Sequence, residues 1–140
     1  MKTIQSEFTK IISSIFIFVF FVSCSKEVDV VATPIDNSAA FKGSFVNSAH
    51  PTSGNVTVNK EKTKLNFTDF KSDSGPDLDI YLVSNLSNVK GGFIDLGDIK
   101  GINGNYTYDI PANTDFAVYK YVVVWCKAFN VNFGYATLMP

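Results

Sequence analysis

Between Ala40 and Pro140 the chain alternates strand-like runs and turn signals at short intervals, and this rhythm constrains its fold more than any other feature. "FKGSFVN" opens the series. In "GNVTVN" Val56 and Val58 share one face, and in "TKLNFTDF" Leu65 and Phe67 do. "DLDIYLV" sets Leu78, Ile80 and Leu82 inward, with Asp79 and Tyr81 outward. "GGFIDLGDI" is a shorter run, "NGNYTYDI" aligns Tyr106, Tyr108 and Ile110, and "NFGYATLM" closes the series. "YKYVVVWCKAF" is apolar on both faces, as a central strand should be. The connections, among them "HPTSG", "NKEK", "KSDSGP", "KGINGN" and "PANTD", are built from turn-forming residues. No helical period of useful length interrupts them. The expected fold is all-β, an antiparallel β-sandwich or small barrel of about eight short strands.

The N-terminal segment follows different rules. Lys2 and Lys10 precede a largely apolar run of 12 residues, Ile11 to Val22. A membrane-spanning helix needs roughly 20, so the pattern is that of a secretory signal. It ends in "FVSC", which resembles the bacterial lipoprotein box, although Leu is usual where Phe21 stands. The resemblance implies cleavage before Cys24, acylation of that cysteine and attachment to a membrane by its lipid, palmitate included. The alternative is an ordinary signal with an accidental cysteine. Ser25, rather than Asp, follows Cys24, which resembles the sorting of lipoproteins to the outer membrane, facing the periplasm or the surface. The expected organisation is a signal peptide over 1–23, a lipid-anchored linker over 24–39 and a β domain over 40–140.

Charge removes several function classes. The net charge is −1, and all 12 basic residues are lysines. Nucleic acid is therefore not an expected partner, and bidentate guanidinium clamps are absent from the chain. A lipidated Cys24 leaves Cys126 as a lone thiol in an oxidising compartment, where such a thiol calls for an explanation.

The order "FKGSFVNSAHPTSGNVTV", "LNFTDFKSDSGPDLDIYLV", "DLGDIKGINGNYTYDIP", "YVVVWCKAFNVNFGYATL" resembles the DM13 domain family from about Ala40 to Leu138. The strongest points are Gly75 to Leu78 and Val122 to Phe129; His50 to Gly54 and Gly104 to Pro111 also fit. The resemblance implies an extracytoplasmic electron-transfer module. The family's hallmark cysteine, thought to act as a free thiol or as a ligand to a cofactor such as haem, falls on Cys126. A redox partner protein is implied as well. The family's usual neighbouring redox modules do not occur in this chain.

Read from the residues alone, Cys126 shares a strand face with Val122, Val124 and Ala128, and the bland reading is a small buried hydrophobe. Lys127 points to the opposite face. His50, the one histidine, sits in a turn-like "HPTSG" and is either a candidate ligand or a residue bonded to local backbone. A bis-histidine haem is excluded, and without C-x-x-C-H any haem would be non-covalent. Asp69, Asp73, Asp77 and Asp79 crowd one segment. Asp73 and Asp77 are candidate ligands for a hard cation such as calcium, though the spacing is not that of an EF-hand and turn capping is the simpler and preferred role. The tyrosines Tyr106, Tyr108, Tyr119, Tyr121 and Tyr135 are candidates for a sugar-binding face or for packing.

No hydrolase motif occurs, so the domain is expected to be a monomeric module rather than an autonomous enzyme. The leading expectation is an accessory redox module centred on Cys126. The rivals are a surface binding module for a carbohydrate, ion or protein, with Cys126 as core packing, and a purely structural lipoprotein.

Overall fold

A computed structural model describes residues 39–140; the expected signal peptide, Cys24 and the linker up to residue 38 lie outside the described residues. Eight strands follow in order: β1 Phe41–Asn47, β2 Thr52–Val58, β3 Lys64–Ser72, β4 Leu78–Val83, β5 Phe93–Asp98, β6 Asn103–Asp109, β7 Tyr121–Cys126 and β8 Val131–Thr137. All neighbours pair antiparallel, in the order β5-β4-β7-β8-β1-β2-β3-β6. The result is one sheet rolled into a nearly closed barrel, with β5 and β6 bordering the gap.

β1 makes the roll. Its first half, Phe41 to Ser44, pairs with Val58 to Asn55 of β2, and its second half, Phe45 to Asn47, pairs with Ala136 to Gly134 of β8. The strand thus belongs to both walls. Lys42 also bridges Met139 by two backbone bonds of 2.8 and 2.9 Å. Gly43 permits this closeness, because a Cβ there would lie 2.3 Å from the Thr137 carbonyl oxygen. Gly54, at φ +109°, stands where the β2–β3 register shifts, and a side chain there would strike the backbone of Phe70.

The inward positions fill a core of Phe45, Val56, Phe67, Phe70, Ile80, Leu82, Tyr108, Val122, Val124 and their neighbours. Phe45, Phe67, Phe70 and Tyr108 meet at centroid distances of 5.0–5.2 Å. Burying a side chain of that size contributes roughly 1.5–3 kcal/mol.

A second, smaller cluster lies on the outer face of β4 and β7, where Tyr81, Val83, Val123 and Trp125 pack with Val89. Val89 comes from a 3-10 segment, Leu86–Gly91, that the sequence pattern did not announce. Asn85 caps it by accepting the Ser87 N–H.

Three local expectations need correction. Asp79 and Tyr81 do face outward from the main core, but they are 1% and 3% exposed because this second cluster covers them. "HPTSG" is only partly a turn, since β2 begins at Thr52. β7 ends at Cys126, so Ala128 lies in the following turn and shares no strand face with it.

Candidate functional site

β7 runs between β4 and β8, hydrogen-bonded on both sides. Alternation sends Val122, Val124 and Cys126 into the main core and Tyr121, Val123 and Trp125 to the outer face. Cys126 is a free thiol, fully buried, with Leu78 and Val131 as its cross-strand partners. It is the last residue of its strand, and the Lys127–Asn130 turn beyond it carries the exposed ring of Phe129.

His50 lies in the β1–β2 loop. Its ring stacks on Phe133 at 3.8 Å and 26°, and its Nδ1 is 3.2 Å from Asp73 Oδ2. Phe133 belongs to the same core as Cys126, so the imidazole lies against one wall of that core and takes its polar contact from Asp73. Asp77 turns the other way. Its carboxylate is 3.2 Å from Lys127 Nζ, and its carbonyl accepts the Lys127 N–H at 2.8 Å. The two carboxylates of the "SDSGPD" segment therefore face different partners, His50 and Lys127. Among the described residues, no group of three or more His, Cys, Asp or Glu side chains is placed to share a metal ion.

A row of polar groups crosses the outer face one position from Cys126. Asp98 of β5, Asp79 of β4, Trp125 of β7 and Asn132 of β8 are successive register partners. Lys127 Nζ sits over it, 2.9 Å from Asp79 Oδ2 and 3.9 Å from Asp98 Oδ1. That ion pair is the close polar contact of the Asp79 carboxylate, whose oxygens find no other hydrogen-bond partner among the described residues. Trp125 Nε1 and Asn132 Oδ1 are likewise enclosed without one. Burial pushes the Asp79 carboxyl above the usual carboxylate range; Lys127 opposes this, while Asp95 and Asp98 reinforce it. Asp79 and Asp77 in turn push the Lys127 ammonium up. Burial also raises Tyr81, helped by Asp95 and Asp79. The Tyr81 ring lies 4.4 Å from Phe93 and 6.4 Å from Trp125, near-parallel to both.

Sequence reading found Cys126, His50 and the turn carboxylates but missed this row. Asp79 alternates with Leu78 and Ile80, which reads as a solvated position. The available signal was that its partner strand, "YVVVWC", is apolar on both faces, so one neighbour of Asp79 had to be buried.

The haem reading fails on packing. The Cys126 side chain is closed off among core residues, with no face left for an iron porphyrin, and His50 already lies flat on Phe133. The tyrosines divide between packing roles. The Tyr108 hydroxyl accepts the Lys100 N–H from within the core, and the Tyr106 hydroxyl donates to the Asn103 carbonyl. Tyr119 packs against the main core, and Tyr121 and Tyr135 meet edge to face on the outer side.

An antiparallel barrel of this size with a buried free thiol and an aromatic–carboxylate row behind it is a small all-β module. The protein-family model described as Electron transfer DM13 matches residues 44–138. That span is well over half of the chain, and the chain belongs to the DM13 family. No curated protein and no solved structure matches it.

Proposed function

We propose that this domain is an accessory electron-transfer module of the bacterial cell envelope, held to the outer membrane by lipid on Cys24, with Cys126 as its redox-active thiol. The supporting observation is membership of the Electron transfer DM13 family across the strands that carry Cys126. The closed packing favours thiol chemistry over ligation of a haem. Position at a strand end sets the thiol next to the Lys127–Asn130 turn, whose opening would admit a small oxidant. A large thiol reagent should react slowly.

Voltammetry and thiol titration of the purified full chain test this reading. The expected result is one slowly titrating buried thiol and a redox signal that Cys126→Ala abolishes while the protein stays folded. Unchanged electron exchange in Cys126→Ala would overturn it.

One observation favours a binding module instead. An open groove of about 660 Å³ runs over the outer face of β1, lined by Lys42, Ser44, Val46, Thr57, Tyr135 and Met139. Val46 and Met139 are 46% and 60% exposed there. Under that reading Val46→Lys would abolish ligand capture, and Cys126→Ala would only lower the melting temperature.

A further inference from the structure

We propose that the end of the barrel opposite Cys126, where β1 begins and β8 ends, is a membrane-contacting face fitted to the headgroups of anionic phospholipids. The proposal rests on the envelope location given above and adds to the lipid on Cys24 a contact made by the folded domain itself.

Antiparallel pairing sorts the connections between two ends of the barrel. Loops 48–51, 73–77, 99–102 and 127–130 lie at the Cys126 end. The other end gathers residue 40, loops 59–63 and 110–120 and the closing residues 138–140. Backbone bonds knit this second end together. The Ala40 N–H donates to the Val58 carbonyl at 2.8 Å, the Ile110 N–H to the Thr63 carbonyl at 2.9 Å, and the Leu138 N–H to the Lys120 carbonyl at 2.8 Å. Behind them the Phe41 ring stacks on Phe116 at 5.0 Å.

Charge distinguishes the two ends. Lys42, Lys60, Lys62, Lys64 and Lys120 are exposed at the knitted end. Against them stand only Glu61, Asp109 and Asp115, and Asp109 is already held by Lys64. At the Cys126 end the balance reverses, with Asp69, Asp73, Asp77, Asp79 and Asp98 outnumbering Lys71, Lys100 and Lys127. Lys62 lies over the Phe41 ring at 5.5 Å and Lys120 over the Tyr121 ring at 5.6 Å. Their stems follow aromatic surface while their ammonium groups stay in water. Among these lysines Val118 and Met139 are 47% and 60% exposed. Lysines interleaved with protruding apolar side chains suit the boundary between headgroups and acyl chains of an anionic bilayer. The exposed Phe129 of the opposite end shares it with the carboxylates, which the same surface repels. The point of attachment agrees with this orientation. Residues 25–40 separate Cys24 from β1, and a chain of that length spans at most about 55 Å. A lipid on Cys24 therefore tethers the domain by its basic end.

Amide hydrogen exchange of the full-length protein, purified from membranes and placed in vesicles, tests the face. Vesicles of phosphatidylcholine alone are compared with vesicles that also hold phosphatidylglycerol. Exchange in 59–63 and 110–120 should slow about fivefold with phosphatidylglycerol, the effect of one lysine close to an anionic surface. Exchange in 127–130 should not change. Salt of about 1 M, which shortens screening to about 3 Å, should remove the difference, and so should Lys60→Gln combined with Lys120→Gln. Equal exchange in the two vesicles, or slowing confined to 127–130, would overturn the proposal. The intact mass of the protein separates this outcome from the anchor. Acyl chains on Cys24 without lipid-dependent exchange would uphold the anchor and overturn the face. Slowed exchange without acyl chains would uphold the face and remove the anchor.

Discussion

At Asp79 two opposed influences meet, and their balance sets a pH dependence. Burial, joined by Asp95 and Asp98, raises the carboxyl above its ordinary value of 3.8 against the lowering influence of Lys127. A carboxyl whose folded value is raised binds more protons folded than unfolded, so stability falls as pH rises through that window. Wild-type melting temperature should therefore carry a component that declines as pH climbs above 3.8. Asp79→Asn should flatten that component, as calorimetry over a pH series would show. Lys127 has the opposite relation to its reference. Its raised value contributes stability that is present below 10.5 and lost as pH rises beyond it. At Cys126, Cys126→Ser should cost more than Cys126→Ala, because a hydroxyl enclosed among Leu78 and Val131 without a partner costs roughly 1–3 kcal/mol. Denaturant melts of the pair would show the order. The sequence made Cys126 legible because the thiol sits in an unmistakable apolar run. Asp79 was hidden, since alternation names a face but not what covers it.

At the scale of the element, β1 is where local pattern and global structure part company. "FKGSFVN" reads as an ordinary strand, and of its seven residues only Phe45 is buried. Its importance lies in serving two neighbours, and nothing local announces that. Gly43 is the key to the seam with β8. Gly43→Ala would set a methyl group 2.3 Å from the Thr137 carbonyl oxygen, where backbone rather than a flexible side chain must yield. We expect a loss of about 1–3 kcal/mol, the usual cost of overpacking, with amide exchange quickening first in β8 and around Met139. The turn at Gly75 to Leu78 was legible as a turn, and its chemistry was not. Asp77 was expected to bond the backbone with its side chain, and it reaches Lys127 instead. A pairing between residues fifty positions apart is invisible to spacing arguments.

The whole molecule was legible in outline: eight strands, all antiparallel, no long helix. Their order was not, because hydrophobic alternation fixes which residues face inward without saying which strands meet. Most of the structure depends on such distant pairings, which slows folding in all-β proteins. The proposed lipid anchor belongs to this scale too. Cys24→Ala should block lipid labelling and release the protein from the membrane fraction, and unchanged labelling would contradict the lipoprotein reading. The bridge between Lys42 and Met139 carries one more consequence. It sets the first strand and the last residues of the barrel side by side, so a short peptide could join residue 140 to residue 40. New ends could then be opened in the exposed Lys127–Asn130 turn, at the far end of β7. Such a circular permutant should fold to the same barrel, and, on the lipoprotein reading, it would reverse which end of the domain hangs nearest the lipid.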